Sequence, residues 1–263
     1  MPNIQVNAVN FYYEIHGKGP TLILVNGYNS DLTLWMPIVE RLKNSFQIIL
    51  FDTQGIGQTV DHVGALTAEE MADNIIDLAD SLKLEHPNIA GVSMGGTIVQ
   101  KIASRHVEKI NKITLLATTA KWRKAMLLGI RSILTIRERN LDSEDVFNAI
   151  LPWVFGEKFL SDQEKISDFK KKRLEYEYPQ SIEDQKRQFE VLSQFNGKKD
   201  LSQIKAPTLI LYATEDIISL PYESQYLAKH ITNSTLIECP GGHGVAIESP
   251  ELIANQFKQF FLE

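Results

Sequence analysis

The sequence predicts an α/β protein: a mostly parallel sheet of eight strands, helices on both faces, and a block of helices inserted late in the chain. Three observations carry this. Short, uninterrupted apolar runs alternate with stretches of helical spacing, the pattern of parallel strands buried on both faces. Strand signals vanish between about Lys121 and Asn196 and return at APTLILYA. And NIAGVSMGGTIVQKIA passes from strand to helix through a serine set among glycines. A chain of 263 residues suits one large domain with an insertion.

The elements follow in order. Ile4–Val9 and Phe11–Ile15 read as an antiparallel pair joined by a tight turn. Thr21–Asn26 is a buried strand after a Gly-Lys-Gly-Pro turn, Pro37–Leu42 a short helix, and FQIILFD a strand ending at Asp52. Thr67 and Glu70 have capping-box spacing for a helix over Ala68–Leu82. Asn88–Val92 is strand, Met94–Arg105 helix, and KITLLAT strand. The insertion shows helical patterns at Arg123–Arg139, Glu144–Leu151, Gln163–Tyr176 and Ile182–Gln194, with Ser161 and Glu164 spaced as a second capping box. STLIEC is the last strand, and Ser249-Pro250-Glu251 starts the last helix, with serine as N-cap. The division is therefore a core of residues 1–120 and 197–263 and a helical cap of residues 121–196.

Composition removes several function classes. Lys and Arg total 27 against 33 Asp and Glu, so a net charge of −6 argues against a nucleic-acid partner. The run Lys170–Arg173 is followed by Glu175 and Glu177 and reads as a solvated helix face. One cysteine, Cys239, excludes an internal disulfide and fits a reducing compartment. The polar, alternating N-terminus lacks a signal-peptide pattern, and no run approaches the roughly 18 apolar residues of a membrane span. A cytoplasmic protein is expected. No zinc-type Cys/His spacing is present, so neither metal nor organic cofactor is expected.

The chemistry centres on Ser93. Gly-x-Ser-x-Gly between a strand and a helix is a nucleophile elbow, a strained turn that lifts the hydroxyl above the sheet. Gly91 and Gly95 are small because neighbouring backbone crowds them. The following helix aims its N-terminus where negative charge develops. A serine nucleophile needs a base. His243, in CPGGHGVAIESP, lies between the last strand and the last helix. His16, His106 and His230 lie near element ends, and His62 and His86 in connections. The base needs an acid to set its tautomer. Asp216 follows a buried strand in TLILYATEDIISLP, with Glu215 as the fallback.

These segments together resemble the α/β-hydrolase superfamily over essentially the whole chain. GVSMGG, ATEDIISLP and PGGHG stand where that family carries nucleophile, acid and base. LILVNGYNSDLTLW resembles its loop after the third strand, and FDTQGIGQT its Asp-x-Arg-Gly-x-Gly-x-Ser segment. The wording is similar to 3-oxoadipate enol-lactonases, and the plan equally to the methyl esterase acting on pimeloyl carrier protein. The resemblance implies that the backbone N–H groups of Tyr28 and Met94 form the oxyanion hole. Asn26, Gln54 and Ile56 replace the family's usual His, Arg and frequent His. Those departures change the support around the oxyanion loop but leave the three reactive positions intact.

In the insertion, Trp122, Met126, Leu127, Leu128, Trp153, Phe155 and Phe159 are candidates for an apolar roof, and Trp122, Met126, Trp153 and Phe155 for the substrate pocket. A dianionic substrate would need a basic residue from the cap, with Arg123 and Lys124 nearest. The expected activity is hydrolysis of a small-molecule carboxylic ester, lactone or thioester through an acyl-enzyme. Perhydrolysis or acyl transfer on the same three residues is an alternative. A ligand receptor that turns over slowly is the non-enzyme alternative, distinguished by a burst without multiple turnovers.

Overall fold

The computed structural model describes residues 2–61, 64–139 and 143–263, so His62 lies outside the described residues. β1 (Asn3–Val6) and β2 (Val9–His16) form an antiparallel hairpin. Its turn falls at Asn7-Ala8, earlier than the sequence alternation implied, because Asn7 accepts a φ of 53°. There follow β3 (Thr21–Val25), α1 (Met36–Leu42), β4 (Gln47–Phe51), α2 (Ala68–Ser81), β5 (Asn88–Val92), α3 (Met94–Arg105) and β6 (Ile113–Leu116). Among the described residues, five helices come next: α4 (Lys124–Glu138), α5 (Ser143–Val154), α6 (Glu157–Leu160), α7 (Gln163–Leu174) and α8 (Ile182–Gln194). The chain then returns to the sheet with β7 (Thr208–Ala213), α9 (Pro221–His230), β8 (Ser234–Cys239), α10 (Val245–Glu248) and α11 (Pro250–Leu262).

The eight strands form one sheet in the order β1-β2-β4-β3-β5-β6-β7-β8. β2 meets β4 antiparallel, and every pairing from β4 to β8 is parallel. The chain moves outward from β3 to β4, then crosses back to place β5 on the other side of β3. The carboxyl ends of β3 and β5 therefore flank a switch point, where open α/β sheets keep their sites. The register sets Val25 beside Gly91, which brings the loop after β3 against the turn after β5.

Period-2 alternation divides the strand side chains between two cores. Ile23, Val25, Ile49, Phe51 and Ile89 pack with α2 and α3 on one face. Leu22, Leu24, Ile48 and Leu50 pack with Trp35, α1 and α11 on the other. Both faces are covered, which is why the strands read as continuous apolar runs.

Several local expectations change. Thr67 Oγ1 accepts the Glu70 amide at 3.1 Å and so caps α2 as its spacing implied. Ser161 does not cap α7. Asp162 accepts the Lys165 amide at 3.1 Å, and Ser161 instead donates to Glu157. A carboxylate one residue later is the better acceptor for a helix N-terminus. Ser249 likewise makes no side-chain cap on α11: its hydroxyl donates to the Pro240 carbonyl at 2.8 Å. The short α6 had no periodicity to betray it. Among the described residues, no helix is long and apolar enough to cross a membrane.

Candidate active site

Ser93 sits between β5 and α3 with φ 55° and ψ −118°, a backbone region that a non-glycine residue enters only when its surroundings force it. The surroundings are visible. A Cβ on Gly91 would collide with the Gly95 carbonyl, and one on Gly95 with the carbonyls of Val25 and Asn26. Both glycines are therefore required by close backbone approach. Ser93 N–H donates to Leu116 O at 2.9 Å, and Thr118 Oγ1 donates to Ser93 O at 2.7 Å. The end of β6 thus braces the strained turn from the side.

His243 reaches Ser93 from the loop between β8 and α10. Its Nε2 is 2.8 Å from Ser93 Oγ, and its Nδ1 is 2.8 Å from Asp216 Oδ2. Asp216 Oδ1 accepts the Ile218 and Ser219 amides at 2.8 and 2.9 Å, and Oδ2 accepts Ser219 Oγ at 2.7 Å. With these donors converging, the carboxylate has one orientation, and Nδ1–H completes its set. Nε2 is then left as an acceptor for the serine proton. The Asp216 side chain is fully buried and that of His243 is 11% exposed, so water has little access to the pair.

Glu215 is not an alternative third member. Its carboxylate accepts the Glu157 amide at 2.9 Å at the N-terminus of α6. Neighbouring carboxylates in one loop are thereby divided, one toward the imidazole and one toward the insertion. Glu248 adds a second tie. It accepts Gly242 N–H at 2.9 Å and Gly156 N–H at 3.1 Å, joining the His243 loop to the α5–α6 turn. Burial holds its carboxyl above the usual range; the two amides oppose that, and Glu215 and Asp216 add to it. Gly244 N–H donates to Val154 O at 2.6 Å in the same seam.

Tyr28 and Met94 flank the serine. Gly27 lies so close that an added Cβ would stand 3.3 Å from Ser93 Cβ. Among the described residues, the backbone N–H groups of Tyr28 and Met94 have no acceptor. Two unmet donors beside a hydroxyl can hold a developing oxyanion. Asn26, in place of the family's histidine, donates to Phe51 O at 3.0 Å and ties the loop to β4. Gln54 accepts Asn74 at 3.0 Å. Ile56 is buried.

The insertion residues divide. Trp122 and Met126 are buried in the core cluster that also holds Met94, and Trp122 Nε1 donates to Thr97 Oγ1 at 3.2 Å. Phe155 stacks on Phe159 at 4.0 Å and meets Phe169 edge-on at 5.0 Å, with its ring over Gly244 beside His243. Trp153 remains 40% exposed and lays its ring on Gly129 of α4. Leu128 is exposed, while Phe159 is buried and Leu127 packs against the core. Arg123 is engaged: it pairs with Glu223 and donates to the carbonyls of Ile217 and Ile218. Lys124 is exposed.

Sequence reasoning missed three contributors from the insertion. Arg173 is not on a solvated face. It donates to Asn29 O at 2.6 Å and Asn29 Oδ1 at 2.8 Å, and its partner carboxylate is Asp31. Lys172 of the same run pairs with Asp168 one helical turn earlier. Gln188, fully buried, accepts the Asn29 amide at 3.1 Å and donates to Gln54 O at 2.9 Å. Arg137 is half-buried and donates to the Gln180 carbonyl at 3.4 Å. A basic run and scattered polar residues carry no signal that singles these out. Cys239 is buried, and burial pushes its thiol up to about 12, so it is an inert core residue.

Comparison with known proteins follows the geometry. A family model described as alpha/beta hydrolase fold matches residues 20–250. The 3-oxoadipate enol-lactonase 2 of Acinetobacter baylyi is 27% identical over 93% of this chain and 89% of its own. A protein of Azorhizobium caulinodans provisionally designated a carbamate hydrolase, RutD, is 25% identical over 96% of this chain and 95% of its own. The enol-lactonase of Burkholderia xenovorans LB400 superposes with a TM-score of 0.88 at 23% identity, covering all of both chains.

Proposed function

This chain belongs to the α/β-hydrolase fold family, and from that premise we propose that it is a serine hydrolase that cleaves a carboxylic ester, linear or cyclic, through an acyl-enzyme. The family and its relatives' names support hydrolysis in general. The observation that carries the finer reading is the relay of two 2.8 Å contacts from Ser93 Oγ through His243 to Asp216.

In this mechanism His243 Nε2 takes the Ser93 proton as Oγ attacks the carbonyl carbon. The Tyr28 and Met94 amides receive the oxyanion. The imidazolium, held by Asp216, returns the proton to the departing alkoxide. Water then repeats the sequence on the acyl-enzyme. The Asp216 carboxylate stays ionised and orients the ring. A lactone differs only in that its leaving alkoxide stays tethered to the acyl group, and the enol-lactonase relative favours including that substrate form. Residues 121–196 act as a cap that seats beside the triad loops: Gly156 N–H donates to Glu248, Glu157 N–H to Glu215, and the Val154 carbonyl accepts from Gly244.

A hydrolysis panel of p-nitrophenyl esters and small lactones, read with intact-protein mass, tests the reading. Multiple turnovers and a transient acyl adduct on Ser93 are expected. A single burst would return the protein to a receptor role, and no adduct with no turnover would exclude the nucleophile.

A further inference from the structure

An oxyanion donor must be aimed, and the Tyr28 N–H cannot aim itself. Among the described residues it has no acceptor, so no bond of its own fixes its direction. It takes that direction from the neighbouring peptides. Gly27 precedes it, against Ser93, and glycine constrains its backbone least of all residues. Asn26, one residue further back, is tied to Phe51 O at 3.0 Å. The restraint next to Tyr28 therefore has to come from the residues that follow it.

There the chain is held at three successive backbone groups. Ser30 Oγ donates to Tyr28 O at 3.3 Å, Asn29 N–H donates to Gln188 Oε1 at 3.1 Å, and Arg173 Nη2 donates to Asn29 O at 2.6 Å. The first two bonds grip both ends of one peptide plane, and the third grips the next plane. Asn29 itself sits at φ 53°, a left-handed conformation that asparagine adopts more readily than most side chains. Arg173 also holds its Oδ1 at 2.8 Å. Gln188 and Arg173 both belong to the insertion, on α8 and α7.

Both side chains are anchored in turn. Gln188 is fully buried and donates its amide N–H to Gln54 O at 2.9 Å, so it spans the loops after β3 and β4. Turned over, its carboxamide would set N–H against N–H and oxygen against carbonyl, so it has one orientation. Arg173 pairs with Asp31, which is buried and accepts the Thr33 amide at 2.9 Å. Resting on the serine-hydrolase reading above, we propose that Gln188 and Arg173 are positioning residues of the oxyanion hole: they fix the two peptides after Tyr28 and so aim its N–H at the reacting carbonyl. The insertion is then part of the reacting geometry as well as a roof over the substrate.

Gln188→Met keeps the length of the side chain and removes both of its bonds. With p-nitrophenyl butyrate, kcat should fall about ten- to a hundredfold while KM stays within about threefold, the signature of an interaction made in the transition state. Inhibition by 1,1,1-trifluoro-2-hexanone, whose hemiketal with Ser93 carries the oxyanion, should weaken by the same factor as kcat/KM. Arg173→Met should act in the same way by a smaller factor. Arg173→Lys, which restores a donor for Asn29 O, should recover part of that loss. Lys186→Gln breaks the pair with Glu138 on the same helix as Gln188 and should keep the wild-type kcat. An unchanged kcat in Gln188→Met and Arg173→Met, even with lowered thermal stability, overturns the assignment. So does a rise in KM alone, which would make the two side chains substrate contacts. Should Gln188→Met fail to fold, the two Arg173 variants decide on the same terms. Failure of the hydrolase reading is separable. If wild type turns over no ester, hydrogen–deuterium exchange decides the positioning alone. Exchange over residues 26–31 should quicken in Gln188→Met or Arg173→Met while the His243 loop keeps its wild-type rate, and no quickening there overturns the assignment.

Discussion

The strand-end loops of the core and the helices of the insertion meet around the His243 loop and the loop after β3, yet they contribute in opposite ways. Core residues are fixed by the backbone. Ser93 is held at φ 55° by glycine contacts, and Asp216 and His243 by loops bonded to strand ends. Insertion residues act through long side chains: Arg173 onto Asn29, Gln188 between Asn29 and Gln54. A reactive group must be placed within tenths of an ångström, which backbone constraint supplies. A recognition group needs only reach and charge, which a helix surface supplies and can vary freely.

The sharpest way to break the comparison is at the nucleophile. Ser93→Ala should lower turnover by at least about 10³-fold. A fluorophosphonate should label Ser93 and no other serine. Labelling elsewhere would show that the strained turn is structural only.

The paired acids come next. Asp216→Asn should fold normally and lose on the order of 10²- to 10⁴-fold in turnover, since the amide favours the wrong imidazole tautomer. Glu215→Gln keeps an oxygen that can accept the Glu157 amide, so its effect should be much smaller. The reverse ranking would mean that the α6 cap, rather than the imidazole partner, controls the reaction.

How far the sequence could be read follows the same division. The order of strands and helices was legible because two-sided burial writes unbroken apolar runs, and Met94–Arg105 and Ile182–Gln194 match their helices end to end. Ser93, Asp216 and His243 were legible as a set because each closes a strand pattern, and the structure does bring them together. Between neighbours Asp216 and Glu215 the sequence favours Asp216 with Glu215 as fallback, and one residue of loop path sends Asp216 to His243 and Glu215 to the Glu157 amide. Arg173 was read as solvated because its basic neighbours are, while its own partner, Asn29, lies 144 residues away. Arg137 has no pattern at all. Contacts made across folded surfaces leave no local period to find.

Charge buried in the core gives a thermodynamic test. Asp52 follows β4 directly, is fully buried, and accepts the Leu32 and Gln58 amides at 2.9 and 2.8 Å. Burial raises its carboxyl to about 6 despite those bonds, with Asp31 and Glu14 adding a little. The folded state thus binds this proton more tightly than the unfolded chain, where aspartate titrates near 3.9. The stabilisation is complete below about pH 4 and is lost as pH rises through about 6. Two pH units correspond to at most about 3 kcal/mol. Urea midpoints of wild type and Asp52→Asn at pH 4, 5 and 7 should converge or cross as wild type loses ground. Parallel curves would show that Asp52 is ionised throughout at no cost.

The smallest expected effect separates the two aromatic side chains of the α5 end. Phe155 lies over Gly244, next to His243, and belongs to a packed aromatic group, whereas Trp153 rests on Gly129 and is 40% exposed. If the insertion recognises the acyl chain, the ring beside the base should limit its length, and the outer ring should only join α4 to α5. Each methylene taken from water contributes about 0.8 kcal/mol, close to a factor of four in specificity constant. Specificity constants across p-nitrophenyl esters from acetate to palmitate should peak at short to medium chains. Phe155→Leu should move the peak by one or two carbons toward longer chains, a change of a few-fold at each length. Trp153→Ala should leave the peak in place and cost only stability, read from thermal unfolding. A palmitate optimum would mean that the cap encloses far more space than five short helices imply. A shift in the Trp153 variant with none in Phe155→Leu would put the acyl chain on the outer side of α5, and the insertion would then recognise substrate by a surface it shares with solvent.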